Sequence, residues 1–282
     1  MEKMKNRLFF SQLIVLALAI FFVACDNQPK FTIKGNIADA KNQTLYLEKR
    51  GITGTTFLDS VKIKKDGSFE LKGVAPQYPD LYILKLGKET INLSVDSIET
   101  IEINSNAKTF SSSYKITGSE GSLRIKQTID AYQKLLSSVR SLQQQQKEGK
   151  IDQNKFAAGI DSALIPYKKE VKKIIVSDFK SPSAYFTLFQ KIDGVLLLDP
   201  YEKEDGKMYT AVATAWDTFH KESERAKHLY NFTMNILKER RLSTQDLSSI
   251  TNVSEAQFID IFNITLPDIN GKEIALTSLK GK

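Results

Sequence analysis

The chain of 282 residues has a single cysteine, Cys25. That scarcity excludes disulfide bonds, thiolate metal clusters and any redox centre built from two thiols. Histidine is nearly as scarce, with only His220 and His228, eight positions apart on sequence whose pattern is helical. Zinc ligands on a helix usually recur at three or four positions and draw on more than two strong ligands. Glu222 and Glu224 lie near enough to draw a metal site, but surface histidines are the simpler reading, and no metal or cofactor is expected. No Gly-x-Gly-x-x-Gly, phosphate-loop or Gly-x-Ser-x-Gly motif occurs. Nucleophilic catalysis has little to stand on, and the sequence nominates no catalytic residue. Long apolar runs are also missing. Residues 8–23 are apolar apart from Ser11 and Gln12, and the unbroken part, 13–24, is shorter than the roughly 20 residues a membrane-spanning helix needs.

What is present begins with Lys3, Lys5 and Arg7 against Glu2, a charged leader before that apolar run, which Asp26, Asn27 and Gln28 end abruptly. A cleaved signal over residues 1–24 is expected. The stretch Phe22-Val23-Ala24-Cys25 resembles the bacterial lipobox, with Phe22 in place of the usual Leu. The resemblance implies that Cys25 is acylated and becomes the new amino terminus; the alternative is an ordinary secretory signal followed by a buried cysteine. Each buried acyl methylene contributes about 0.8 kcal/mol, so a multiply acylated cysteine would hold the protein to a bilayer. Membrane lipid is therefore the expected partner, and the cell envelope the expected location, on the periplasmic or outer-membrane side. Removing residues 1–24 takes away three basic residues and one acidic one, so the formal net charge drops from +7 to +5. The densest basic group, Lys168, Lys169, Lys172 and Lys173, falls at helical spacing and reads as a solvated helix face. No nucleic-acid partner is expected.

From Phe31 to about Thr117 short alternating runs are punctuated by turn residues, which predicts seven or eight strands in a small antiparallel sandwich or open barrel. Asp66-Gly67, between Val61-x-Ile63 and Phe69-x-Leu71, predicts a tight hairpin. From residue 119 the period changes to three and four, with Leu123, Ile125, Ile129, Tyr132, Leu135, Leu136, Val139 and Leu142 on one stripe. A second helix is expected from Asp152 to about Phe179, kinked or broken at Pro166. A short one opens at Ser181-Pro182, and two more cover residues 205–219 and 222–241. Trp216, Phe219, Tyr230 and Phe232 could form a ligand cage, but their spacing favours a helical core. Asp193, Asp199, Glu202, Glu204 and Asp205 read as loop solvation and helix capping rather than acid/base pairs or calcium ligands.

The last stretch returns to strand chemistry, with Asn270-Gly271 between alternating apolar residues as a two-residue hairpin signal. Leu266, Pro267, Asp268, Gly271, Lys272, Leu276, Leu279, Lys280, Gly281 and Lys282 fall on a pattern that resembles the opening of TlpA-like thioredoxin domains, of the AhpC/TSA or redoxin superfamily. Residues 31–123 are similar to the domain of unknown function that precedes such domains in many Gram-negative lipoproteins, through Phe31-Thr32-Ile33-Lys34-Gly35, the Asp59-Ser60 strand and Asp66-Gly67-Ser68-Phe69. The resemblance implies a lipid-anchored periplasmic thiol-disulfide oxidoreductase, whose paired cysteines would lie beyond Lys282. No catalytic role carries over to this chain. The gene is interrupted, the sequence is a fragment, or a shortened protein keeps a binding role. The expected architecture is α+β: a signal peptide (1–24), a lipidated linker (25–30), a β-sandwich accessory domain (31–118), a helical domain (119–250) and a truncated thioredoxin-like hairpin stub (258–282). As written the chain is expected not to be an enzyme. It reads as the accessory or binding portion of a redox lipoprotein, contacting an envelope protein or redox partner. The competing readings are a fragment of a working oxidoreductase and a free-standing ligand-binding lipoprotein.

Overall fold

The structure is a computed structural model that describes residues 28–251, 265–267 and 273–275. The signal segment, Cys25, the Asn270-Gly271 turn and the motif positions Asp268, Lys272, Leu276, Leu279, Lys280, Gly281 and Lys282 lie outside the described residues.

The alternating stretch forms eight strands: β1 (Lys30–Ala38), β2 (Thr44–Arg50), β3 (Thr55–Lys62), β4 (Ser68–Val74), β5 (Asp80–Leu86), β6 (Glu89–Val95), β7 (Thr100–Asn106) and β8 (Lys115–Thr117). They make two four-stranded sheets, ordered β4-β1-β7-β8 and β3-β2-β5-β6. Because side chains alternate along a strand, Phe31, Ile33 and Ile37 of β1 point inward. There they share one buried core with Leu45, Leu47, Leu84, Leu93, Ile101 and Ile103. Each such side chain, fully buried, stabilises the fold by about 1.5–3 kcal/mol. The ladders are antiparallel except one: β1 runs parallel to β7, pairing Ile33 with Ile101 and Gly35 with Ile103. The sandwich is thus mixed rather than wholly antiparallel.

The Asp66-Gly67 turn forms, but it does not join two strands of one sheet. β3 pairs with β2 and β4 with β1, so the turn carries the chain from one sheet to the other. The Gly67 N–H donates to the Lys64 carbonyl at 3.0 Å, and the Lys64 N–H to the Ser68 carbonyl at 3.0 Å. These two bonds close a three-residue loop with Gly67 at φ +85°. Ile63, Phe69 and Leu71 still reach the common core, so the inward-facing pattern held while the pairing inferred from it did not.

The helices are α1 (Glu120–Lys147), α2 (Gln153–Ser177), α3 (Pro182–Leu188), α4 (Lys203–Phe219) and α5 (Glu224–Thr251). Ser119 caps α1 by accepting from the Ser122 N–H. α1 is fastened to β6 by buried hydroxyls: the Ser122 Oγ donates to the Ser94 carbonyl at 2.8 Å and accepts from the Ser94 N–H at 3.0 Å. Asp152 accepts from the Lys155 N–H at the start of α2, which continues through Pro166 without a break. An interior proline costs about 3 kcal/mol, yet here its ring is exposed. Ser181 caps α3 by accepting from the Ser183 N–H, with Pro182 as its first residue. Between α3 and α4 a small hairpin, β9 (Lys191–Ile192) with β10 (Val195–Leu196), turns at Asp193-Gly194. That hairpin carries an Asp-Gly signal the sequence reading passed over.

The fold is α+β. Among the described residues it divides into two compact units, one running to Ala163 and including Ser181–Thr187, the other formed by Leu164–Lys180 and the residues from Leu188 onward. In the last segment β11 (Thr265–Pro267) pairs antiparallel with β12 (Glu273–Ala275), Leu266 opposite Ile274.

Gly35 is where the central sheet admits no side chain: at φ +152°, a Cβ there would lie 1.8 Å from the Ile103 carbonyl oxygen on β7. Gly87 also has positive φ but faces open space. Gly35→Ala is expected to destabilise by at least about 3 kcal/mol, through backbone displacement as well as strain. Gly87→Ala should cost only about 1–2 kcal/mol. Urea denaturation of both variants checks the difference.

Candidate functional site

The acidic run before and within the first turn of α4 contains the most heavily engaged polar group in its unit. Glu202 is the N-cap, accepting from the N–H groups of Glu204 at 2.9 Å and Asp205 at 2.7 Å. This holds its carboxyl below the usual range. Asp205, three residues on, turns inward, its side chain only 1 % exposed. Lys168 Nζ stands 2.5 Å from Oδ2 and Lys172 Nζ 2.6 Å from Oδ1. The Asp199 N–H donates to Oδ2 at 3.0 Å.

The two lysines are four positions apart, so both project from one side of α2. Of the basic group read as a solvated face, Lys169 and Lys173 are exposed whereas Lys168 and Lys172 are drawn onto the carboxylate. The reading as a uniform solvated face is corrected accordingly. Burial alone would raise the Asp205 carboxyl, but hydrogen bonds from Lys168, Lys172 and the Asp199 N–H outweigh it and hold the carboxyl below its ordinary value. The α4 amino terminus adds a favourable dipole. With Asp205 between two lysines of α2 and Glu202 capping the same turn, the cluster can latch α2 to α4. No side chain in it is placed as a nucleophile or as a second acid. The sequence signal for the latch was the i, i+4 lysine pair, and nothing in one-dimensional spacing linked it to residue 205.

The second feature of this unit is an aromatic group. Tyr209 is buried, and its hydroxyl lies 2.8 Å from the carbonyl oxygens of both Leu188 and Leu198, closing the base of the β9–β10 segment. Phe189 and Phe232 pack on its ring, at 6.0 and 5.5 Å between centroids. The His228 ring lies 5.3 Å from that of Phe189. Burial, and then the Arg225 charge, push the His228 imidazole down from its usual value, which keeps it neutral at pH 7. The expectation of a wholly surface histidine is thereby corrected. His220 sits elsewhere, edge-on to Trp216 with Nε2 3.2 Å from the Lys180 carbonyl oxygen. Trp216 is fully buried, as a core residue should be, but Phe219 and Tyr230 are 60 % and 48 % exposed. Helical spacing therefore overstated the core at those two positions.

Among the described residues, no group of three or more His, Cys, Asp or Glu side chains is arranged to hold a metal ion, and no helix is long and apolar enough to cross a membrane. Of the thioredoxin-motif positions, Leu266 and Pro267 fall in β11, opposite Ile274 and Glu273.

Residues 31–122 match the family model described as Domain of unknown function (DUF4369). The match covers the sandwich from Phe31 onward and ends at Ser122, whose hydroxyl fastens α1 to β6. No curated protein is significantly similar to the chain. Among solved structures, the N-terminal domain of AlgF from P. aeruginosa is similar over 32% of this chain and 94% of that one, at 16% sequence identity and a TM-score of 0.23.

The Asp205 latch has a definite pH signature. A carboxyl whose folded pKa is depressed contributes stability that is complete above its unfolded value, about 3.9, and that is lost as pH falls through the lower folded value. Asp205→Asn should destabilise by about 3 kcal/mol at pH 7, because it leaves two half-buried lysines facing a neutral amide. The difference between variant and parent should narrow below about pH 4. Guanidinium unfolding monitored at pH 7 and pH 3 measures both terms.

Proposed function

We propose that this protein is a membrane-anchored lipoprotein of the cell envelope, held by an acylated Cys25, and that its sandwich and helices form the non-catalytic accessory or binding portion of a thioredoxin-like redox lipoprotein. The observation that carries the reading is the position of the one cysteine. It directly follows the apolar leader and stands five residues ahead of β1, where a folded domain leaves just enough chain for a short tether. The DUF4369 match over residues 31–122 supports the accessory role, and so does the redoxin-like pattern from Leu266 onward. A lone thiol consumed by acylation cannot carry the two-electron dithiol–disulfide exchange of an oxidoreductase.

The decisive experiment is the intact mass of the native protein extracted from membranes, before and after chemical removal of acyl groups. It is paired with an insulin-reduction assay on residues 25–282. The expected result is a mass of the chain from Cys25 plus lipid, and no reductase activity. A product of unacylated mass overturns the anchor, and measurable insulin reduction overturns the non-catalytic role. A mass greater by about a hundred residues, the size of one further domain, would move the chemistry to a carboxy-terminal extension.

A further inference from the structure

The strand registers sort the loops of the sandwich between two ends. β1 begins opposite the end of β4, Lys30 beside Val74, and Thr32 of β1 stands beside Thr100 at the start of β7. In the other sheet, the end of β2 meets the start of β3, Arg50 beside Thr55, while the start of β5 meets the end of β6, Asp80 beside Val95. β4 leads to β5, and β6 to β7, through residues 75–79 and 96–99, so these strand ends belong to one end of the sandwich. That end therefore carries the entry of the chain, the loops at 51–54, 75–79 and 96–99, and the link at 118–119 into α1, since Thr117 at the end of β8 stands beside Glu102 near the start of β7. The opposite end carries the loops at 39–43, 63–67, 87–88 and 107–114.

The two ends differ in chemistry. The entry end presents Ile98 at 66 % exposure, Val74 at 49 % and Ile52 at 37 %, one from each loop or its flank. The far end presents Lys41, Lys64, Lys65, Lys88 and Lys108 against Asp39 and Asp66, and none of the exposed large apolar side chains. Single exposed aliphatic residues are ordinary on a protein surface. Three of them on one end, opposite a lysine-rich end, form a directional pattern. The chain entry is fixed at that same end, because the Pro29 carbonyl accepts from the Ala75 N–H at 2.7 Å. Cys25 is four residues before Pro29, so at full stretch it lies no more than about 14 Å away.

We infer that the loop end bearing Ile52, Val74 and Ile98 rests on the lipid bilayer that holds Cys25, with these side chains in the interfacial layer and the lysine-rich end directed away. The occupant is lipid because the tether is too short to keep this end far from the surface it is anchored to. Apolar tips gain by entering the headgroup and acyl boundary. Toward this end Lys72 pairs with Glu70 and Lys49 with Asp80, each at 2.9 Å, so a zwitterionic bilayer suffices. This inference rests on the anchoring proposed above.

The test uses the full chain, acylated in its native host and reconstituted into phosphatidylcholine vesicles, with an environment-sensitive fluorophore on Ile98→Cys, Ile52→Cys or, at the far end, Lys88→Cys. All three sites are exposed, so folding is preserved, and an acylated Cys25 offers no competing thiol. Nitroxide-labelled acyl chains should quench the probe at 98 and 52 by roughly twofold or more over the probe at 88, as interfacial burial requires. Equal quenching at the three sites, with the acyl mass present at Cys25, overturns the bilayer contact and leaves the anchor standing. Protection of position 98 from aqueous iodide without quenching from the acyl chains means that a protein covers the tips, and also overturns it. Absence of acyl mass overturns the anchor and this inference together.

Discussion

The parallel pairing of β1 with β7 is the contact from which the rest of the sandwich follows. Antiparallel neighbours can be joined by a short turn, but parallel neighbours need a crossover that returns the chain to its starting end. Here the crossover, residues 39–99, contains every strand of the second sheet together with β4. The second sheet is thus the connection itself, folded over the first and closing the core between them. Gly35 marks the cost of the arrangement, since the β7 backbone approaches β1 so closely at Ile103 that no side chain fits. Ser94 and Ser122 then tie α1 to the outer edge strand β6, covering an edge that would otherwise offer unpaired backbone groups to other chains.

The two units are held by different physics. The sandwich depends on a continuous aliphatic core and needs polar bonds mainly at its turns and at the β6 seam. The second unit buries its own apolar side chains, Val171, Ile175, Val212, Trp216 and Leu229 among them, and adds polar staples: the Asp205 carboxylate between two lysines, and the Tyr209 hydroxyl beside two carbonyls. Apolar burial changes little with pH, whereas an ion pair whose carboxyl is depressed loses its contribution in acid. The Asp205 pair is thus a buried acid-sensitive element of the second unit.

Strand positions and helix caps were legible in the sequence because each is written in a local signal. Alternation marks a strand, Ser181-Pro182 marks a cap, and Asp152 marks the start of α2. Pairing was less legible. The alternating run on either side of Asp66-Gly67 told which side chains face inward, and they do, yet an inward-facing pattern is the same whether two strands share a sheet or face each other across a core. The parallel β1–β7 ladder was invisible for a related reason, since residues so far apart in the chain leave no local trace of direction. At the candidate site, Lys168 and Lys172 were recognised as one helical face, and Asp205 as part of a capping run. Their meeting depends on how α2 and α4 pack, which spacing within either helix does not encode. The exposed Phe219 and Tyr230 show the converse, where helical periodicity alone promised burial.

The identity of the strand next to the tether has a mechanical consequence. Under the proposed anchoring, any pull between the membrane and the protein enters at Lys30 and runs along β1. β1 is an interior strand of its sheet, paired with β4 on one side from Lys30 to Asn36 and with β7 on the other from Thr32 to Ala38. Ladder hydrogen bonds lie across the strand direction, so a force along β1 loads both ladders in shear, many bonds at once. Had the tether entered through an edge strand such as β3 or β6, the same force could peel one bond after another. Each bond contributes only about 1 kcal/mol net, and resistance therefore comes from how many must yield together. Under that anchoring, β1 would be held by two ladders at once rather than one, in a sequence with no second cysteine to form an intrachain disulfide.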